Sequence, residues 1–273
     1  MYEKYWKLKE KPFENTPDPR FFYYSTQHEE ALTRLTYAIQ ERKGAALLTG
    51  VFGCGKTLLA QSLLDGLQRG SYRIALIANP QLEYSEFLRA IASRLGATGL
   101  PTKKTEILTD YLLDVLNEML ENNFSDGKDT VVIIDEAHVI EDKKIFEELR
   151  MLLNFQHKDR FLLTLLLLGQ PELRKNVDNI KQLAQRIAIR YHLDKLSRQD
   201  SEGYILHRLK IAGKEAPIFT KEAQDLIFEQ SGGIPRRINH ICDMSLLIGF
   251  GNKEDKIGKD IIREVVSDLE GRP

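Results

Sequence analysis

The sequence predicts an α/β protein: a five-stranded parallel sheet with covering helices, followed by an all-helical lobe. Three observations carry that expectation. Five short apolar runs alternate with helix-patterned stretches through the first two-thirds of the 273 residues. A glycine-rich stretch of the form G-x-x-x-x-G-K-T, Gly50 to Thr57, falls between the first such run and the helix-patterned residues after it. After Leu193 the strand pattern stops, and four helix-patterned segments follow, punctuated by glycines.

Taken in order, the strand candidates are AALLTG (45–50), RIALIAN (73–79), TVVIIDE (130–136), FLLTLLLLG (161–169) and RIAIRYHL (186–193). Four are nearly continuous apolar runs, the pattern of strands buried on both faces of a parallel sheet. The last is more broken and suits an edge. Between them, residues 57–68, 84–95, 106–122 and 142–154 read as helices, and 154–160 as a polar connector. Repeated strand–helix–strand order calls for parallel strands joined by crossover helices. Beyond the sheet, residues 197–213, 220–233, 234–252 and 259–271 read as helices, with Ser197 and Thr220 as N-caps. The expected division is therefore an α/β domain over 1–193 and a helical lid over 194–273, with 1–43 as an opening segment of the first domain.

Composition narrows the classes. A hydrophobic fraction of 42% and a charged fraction of 29% are those of a globular protein, and a net charge of −1 supplies no global pull toward nucleic acid or membrane. The two cysteines, Cys54 and Cys242, are too far apart in sequence for a metal-ligand pair and too few for a disulfide framework. The opening MYEKYWKLKEKPF lacks a basic region followed by an apolar core, so it does not read as a secretory signal. The longest apolar run, 161–168, is far short of the ~20 residues a membrane-spanning helix needs. The expected setting is cytoplasmic.

The glycine-rich stretch has a specific physical use. Gly50, Gly53 and Gly55 let the backbone turn its N–H groups inward, and the helix that follows adds its positive end, making a nest for polyphosphate. Lys56 is placed to reach the β and γ phosphates of ATP and the Thr57 hydroxyl to hold Mg²⁺, with Cys54 and Leu58 completing the loop. Cys54 has no base nearby in sequence and reads as a filler. The second motif is VVIIDEAH, 131–138: a buried strand running into two acids. Asp135 suits the Mg²⁺ shell and Glu136 the activation of the attacking water. Together the two motifs predict nucleotide hydrolysis. A binding scaffold that does not turn over is disfavoured, because Lys56, Asp135 and Glu136 are all present.

These motifs together resemble the AAA+ ATPases, and more narrowly the ATPase domain of the general secretion pathway protein A (ExeA/GspA) family. The resemblance begins with KPFENTPDPRFFYYSTQHEEALTRLTYAI (11–39) and continues through the phosphate loop, IDEAH, LLLLGQPEL, QLAQRIAIRYHL and SGGIPRRINHICD. It implies further roles. Asn79 matches the polar residue that restrains the water-activating glutamate, and Gln170 the sensor of the γ-phosphate. Arg236 matches the second sensor, borne by the lid. Arg186 or Arg190 is the arginine finger reaching a neighbouring subunit's nucleotide, and the aromatics of 17–25 line the adenine pocket. Each has a plainer alternative: Asn79 ends a strand before Pro80, Gln170 caps the next segment, and Arg236–Arg237 form a surface patch. Arg186 and Arg190, four apart, would share one solvated face of a continuous helix.

The resemblance also implies self-assembly, as a hexameric ring or a filament, with hydrolysis driving assembly of a bacterial envelope machine: a type II secretion secretin or a mannose-sensitive type IV pilus. The partner is then an inner-membrane secretion or pilus protein, which would hold the chain at the membrane. The chain departs from the full-length pattern by ending at Pro273, without a transmembrane helix or a peptidoglycan-binding domain. The other reading is a regulator of transposition, similar to the TniB/MuB proteins, that polymerises on duplex DNA and recruits a transposase. Its phosphate contacts would come from Lys103, Lys104, Arg150, Lys158, Arg160, Arg208 and Lys210, most of them interleaved with acids.

Overall fold

The computed structural model describes residues 1–67, 70–101, 103 and 108–269. By packing, the chain separates into two compact units, His28–Val51 with Leu59–Leu193, and Met1–Gln27 with Phe52–Leu58 and Asp194–Pro273.

The first unit holds the sheet. Strands β1 (Ala45–Gly50), β2 (Tyr72–Ile77), β3 (Asp129–Ile134), β6 (Leu163–Gly169) and β7 (Ile187–Leu193) pair in the order β2-β3-β6-β1-β7, every pairing parallel. The three central strands are the most apolar in sequence, and β1 and β6 are buried along their whole length. In register, Leu47 lies beside Leu167 and Ile133 beside Leu166, so neighbouring side chains form continuous apolar rows. Each fully buried leucine or isoleucine there is worth about 1.5–3 kcal/mol. The broken run at β7 does form an edge, with a register shift against Ala45 and Ala46. Helices α4 (Tyr84–Leu95), α5 (Thr109–Ser125) and α6 (Lys143–Leu152) bury Phe87, Leu88, Ile91, Leu112, Leu116, Ile145 and Phe146 in the same core.

Several expected boundaries move. β2 stops at Ile77 and β3 at Ile134, so Asn79, Asp135 and Glu136 lie just beyond their strands. The connector at 154–160 contains a two-residue hairpin, β4 (Gln156–His157) with β5 (Arg160–Phe161), ahead of β6. Two short helices, α7 (Glu172–Asp178) and α8 (Lys181–Arg186), occupy the stretch before β7. Arg186, expected to open the last strand, therefore ends a helix while Arg190 sits on β7, and the alternative of a shared helix face does not hold. Ile187, Ile189 and Tyr191, β-branched or aromatic, pair with β1 instead of prolonging the helix. Gln68, Lys104 and Glu106, within expected elements or patches, lie outside the described residues, as do 270–273.

The second unit is helical. Helices α9 (Arg198–Ile211), α10 (Lys221–Ser231), α11 (Pro235–Asn252) and α12 (Lys259–Leu269) follow the expected segments. Ser197 Oγ accepts from Asp200 N and Thr220 Oγ1 from Ala223 N, so both expected N-caps form. Gly232 and Gly233 adopt positive φ between α10 and α11, and a Cβ at Gly233 would lie 2.2 Å from the Leu196 carbonyl oxygen. Only glycine passes there, and Pro235 then opens α11 at the position where its missing N–H costs nothing.

The opening residues belong to this unit's core. Tyr2, Trp6 (on the short helix α1, Glu3–Trp6), Leu8, Phe13 and Phe21 are buried among Tyr204, Leu209, Ile238 and Leu246. Arg208, a candidate DNA contact in the sequence, is only 5% exposed. Its guanidinium donates to the carbonyls of Pro12 and Glu14 and to the Tyr204 hydroxyl, and lies over the Phe21 ring. A buried cation fully engaged this way fastens the opening segment and is not offered to a phosphate backbone. Among the described residues no helix is long and apolar enough to cross a membrane.

Candidate active site

Because every strand of the sheet is parallel, their C-terminal ends share one edge, the side on which open α/β sheets bind ligands. Gly50 closes β1 there, Asn79 follows β2, Asp135 and Glu136 follow β3, and Gln170 follows β6. Asp135 is 4% exposed; its N–H donates to the Ile77 carbonyl at 2.9 Å and its Oδ1 accepts from Glu136 N at 2.9 Å. Glu136 stands in the left-handed region, φ 53° and ψ 31°. That conformation costs a non-glycine residue roughly 1–2 kcal/mol, and it turns the chain sharply at the second acid.

Two further groups complete this edge. Glu136 Oε2 lies 3.5 Å from His138 Nδ1, and His138 Nε2 lies 2.8 Å from Gln170 Nε2. Gln170, expected as a sensor, is thus brought to the acids through a histidine. Asn79 is exposed, and its Oδ1 accepts from Gln81 N at 3.3 Å, bracing the turn at Pro80.

In the other unit, the glycine-rich loop runs into α3 (Lys56–Gly66). Gly53 and Gly55 have φ of 84° and 100°, the region glycine alone enters freely. Lys56 is the first residue of the helix and 5% exposed, Thr57 is exposed, and Leu58 is half-buried. Cys54 is buried and its thiol is pushed up by that burial, with the Lys56 cation only partly offsetting it. A thiol so protonated is a packing group, as its lack of a base implied. Arg236, in the first turn of α11, donates its N–H to the Gly53 carbonyl at 3.4 Å and holds its guanidinium 4.4 Å over the Phe52 ring. Arg236 is therefore brought to the loop.

The two finger candidates are bound differently. Arg190 Nη1 donates to Asp178 Oδ1 at 2.8 Å and Nη2 to the Ala184 carbonyl, so a carboxylate meets its charge. Arg186 donates to the Leu153 carbonyl at 3.1 Å and to Asn154 Oδ1 at 3.0 Å, both neutral acceptors at the end of α6. Sequence reasoning gave Phe52 no role, and gave His138 none in the hydrolysis itself. The signal for His138 was its place two residues after Glu136, but its partner Gln170 is 32 residues away.

Two glycines in the left-handed region, a helix N-terminus and a buried lysine are a donor set suited to a polyphosphate anion. The Thr57 hydroxyl and the Asp135 carboxylate are hard oxygen donors of the kind Mg²⁺ takes.

A family model described as an AAA domain matches residues 39–177, half of the chain. General secretion pathway protein A of Aeromonas hydrophila is 41% identical over 260 residues, covering 94% of this chain and 46% of that protein, so the chain spans less than half of that relative's length. Among solved structures, the Aeropyrum pernix ORC2 protein in its ADPNP–ADP complexes superposes with a TM-score of 0.70 at 19% identity, over 96% of this chain and 72% of the other. A RuvB mutant of Thermotoga maritima gives a TM-score of 0.61 at 20% identity, over 89% and 69%. At those identities the superpositions speak for the fold. With the phosphate loop and paired acids lying in or beside the matched residues, the chain belongs to the AAA domain family of ATP hydrolases.

Proposed function

We propose that this ATPase works between subunits, with MgATP on one protomer and an arginine finger from the next. Lys56 and the loop N–H groups hold the β and γ phosphates, Thr57 and Asp135 hold Mg²⁺, and Glu136 takes a proton from the attacking water. A bound Mg²⁺ would neutralise charge on the phosphates as the γ-phosphoryl departs. Gln170 senses the γ-phosphate from the sheet side and Arg236 from the lid, while Asn79 restrains Glu136. The nucleotide-binding domain is read over 1–193 and the lid over 194–273, with residues 1–27, expected in the first domain, packing in the lid's core.

The observation that carries the finger assignment is the difference between the two arginines. Arg190 is neutralised by Asp178, whereas among the described residues Arg186 is held by neutral partners, the Leu153 carbonyl, Asn154 Oδ1 and the Phe161 ring. A finger must bring an uncompensated charge to the transition state, where such a group is worth ~10³-fold or more in rate. Arg186 meets that requirement. The reading predicts that Arg186→Ala subunits mixed with Glu136→Gln subunits recover activity, because one composite site is intact. No recovery despite proven co-assembly would refute a finger acting in trans.

We further propose that hydrolysis serves assembly of an envelope machine, with an inner-membrane secretion or pilus protein as partner. The support is the extended likeness to general secretion pathway protein A, which covers nearly all of this chain. ATP turnover measured against protein concentration, with and without duplex DNA and with Lys56→Ala as the blank, tests it. A rate that rises with protein concentration and ignores DNA is expected. Strong stimulation by duplex DNA that fades with salt would replace this role with the transposition-type one.

A further inference from the structure

His138 has no task in the hydrolysis scheme above, yet it stands between two residues that do. Its ring is 12% exposed, with Nε2 2.8 Å from the Gln170 amide nitrogen and Nδ1 3.5 Å from a Glu136 carboxylate oxygen. An amide nitrogen can only donate, so Nε2 is the acceptor of that contact. A neutral ring with Nε2 accepting carries its proton on Nδ1, the nitrogen that faces Glu136. The Nδ1–Oε2 separation is an ion-pair distance and not a closed hydrogen bond, and among the described residues the buried Nδ1 has no other partner. A carboxylate swing of about half an ångström brings it within hydrogen-bonding range.

The backbone fixes this arrangement. A Cβ at Gly169 would lie 3.1 Å from the His138 backbone nitrogen and 2.8 Å from Leu173 Cδ2. The absence of a side chain at the end of β6 therefore lets the turn bearing His138 sit close against it. The left-handed backbone of Glu136 in turn aims the 136–138 stretch back across this edge.

We propose that His138 is a positioning residue that passes the orientation of Gln170 to Glu136. While the Gln170 amide donates to Nε2, the ring proton is held on Nδ1 and the Glu136 carboxylate is kept beside it, away from a water. When the Gln170 amide turns to an anionic phosphate, Nε2 loses its donor, the ring is free to change tautomer, and Glu136 is released to act as base. The sensor and the base are then one switch with a histidine in the middle. This rests on the reading of Glu136 as the base and Gln170 as the sensor.

The direct test is the tautomer. In ¹⁵N-histidine NMR spectra of the full chain without nucleotide, the His138 ring, identified by its loss in His138→Gln, should show a proton on Nδ1. Gln170→Ala should shift it toward Nε2–H. A ring protonated on Nε2 alone, or one indifferent to Gln170→Ala, would overturn the proposal. In turnover assays, His138→Ala removes the restraint on Glu136 and should raise kcat severalfold with ATP affinity within twofold. His138→Asn keeps a donor at the Nδ1 position without reach to Gln170. It should hold Glu136 with no release and turn over more slowly than the unaltered chain. A kcat for His138→Ala at or below that of the unaltered chain, or His138→Asn as fast as His138→Ala, would refute the coupling. Glu136→Gln separates the two levels: if it hydrolyses ATP normally, the reading beneath falls and takes this inference with it. If it is inactive while the His138 variants are normal, only this inference falls.

Discussion

Adding one methyl group at Gly53 tests the contact between the phosphate loop and the first turn of α11. The backbone there has φ +84°, and an added Cβ would lie 2.9 Å from Arg236 Cβ and 3.2 Å from Ile234 Cγ2. The positive φ costs alanine roughly 1–2 kcal/mol by itself. The methyl contact at 2.9 Å adds a second cost, because the atom it meets is a Cβ fixed to helix backbone and not the end of a flexible chain. Strain of that kind costs about 1–3 kcal/mol, for a sum of about 2–5 kcal/mol. Gly96 is the control: its φ is +105°, and a Cβ there meets nothing within 4 Å. Gly96→Ala therefore pays the backbone cost alone. For a protein of this size 1 kcal/mol moves Tm by about 2–4 °C. Thermal unfolding followed by circular dichroism should show a Tm drop of several degrees for Gly96→Ala and a clearly larger one for Gly53→Ala, which should also weaken ATP binding. Equal drops for the two variants would mean that Arg236 and Ile234 do not crowd the loop, and the packing argued for Arg236 would be wrong.

Other outcomes follow from the same structure. Lys56→Ala should lose most ATP affinity while keeping wild-type Tm; retained affinity in a fluorescent-nucleotide titration would remove Lys56 from the site. Arg208→Ala leaves the Pro12 and Glu14 carbonyls and the Tyr204 hydroxyl without their donor, at about 1–3 kcal/mol for each buried group that water does not reach. Limited proteolysis should then cut first within the opening segment. Leu166→Ala, in the middle of β6 with no exposed surface, should cost about 2–5 kcal/mol in denaturant unfolding. His207 is held below its usual 6.5 by burial, aided by the Arg208 and Lys210 cations. The unfolded chain then binds the proton more readily, so its contribution is intact above about pH 6.5 and is lost as pH falls below it. A Tm–pH profile should flatten in that range for His207→Gln; an unchanged acid slope would assign the loss to other groups.

The sheet was legible because strands buried on both faces cannot alternate, and their continuous apolar runs stand out against any other pattern. The lobe after Leu193 was legible through its caps and glycines, each with a local cause. Helices α7 and α8 were not, since Leu173, Val177 and Leu183 are their only fully buried apolar residues and too sparse to show a period. Nor was the burial of Tyr2, Trp6 and Phe13 among helices some 200 residues later, because no local pattern encodes a long-range partner. The same limit divides the site. Gly50 to Thr57 and Asp135–Glu136 are contiguous motifs and could be read directly. The contact of Gly53 with Arg236 and the bridge from Glu136 to Gln170 through His138 exist only once the chain has folded. Arg208 shows the converse: a cation in a sequence patch counted as exposed became a buried clasp.

The central claim is that Glu136, held just past β3 in a left-handed turn, activates the water in ATP hydrolysis. The measurement that tests it most directly compares Glu136→Gln with the unaltered chain in a fluorescent-nucleotide titration and a single-turnover assay. Binding should be preserved and hydrolysis should fall by about 10²–10⁴-fold, the usual contribution of a positioned general base. Hydrolysis at the unaltered rate, with ATP bound equally well, would contradict it.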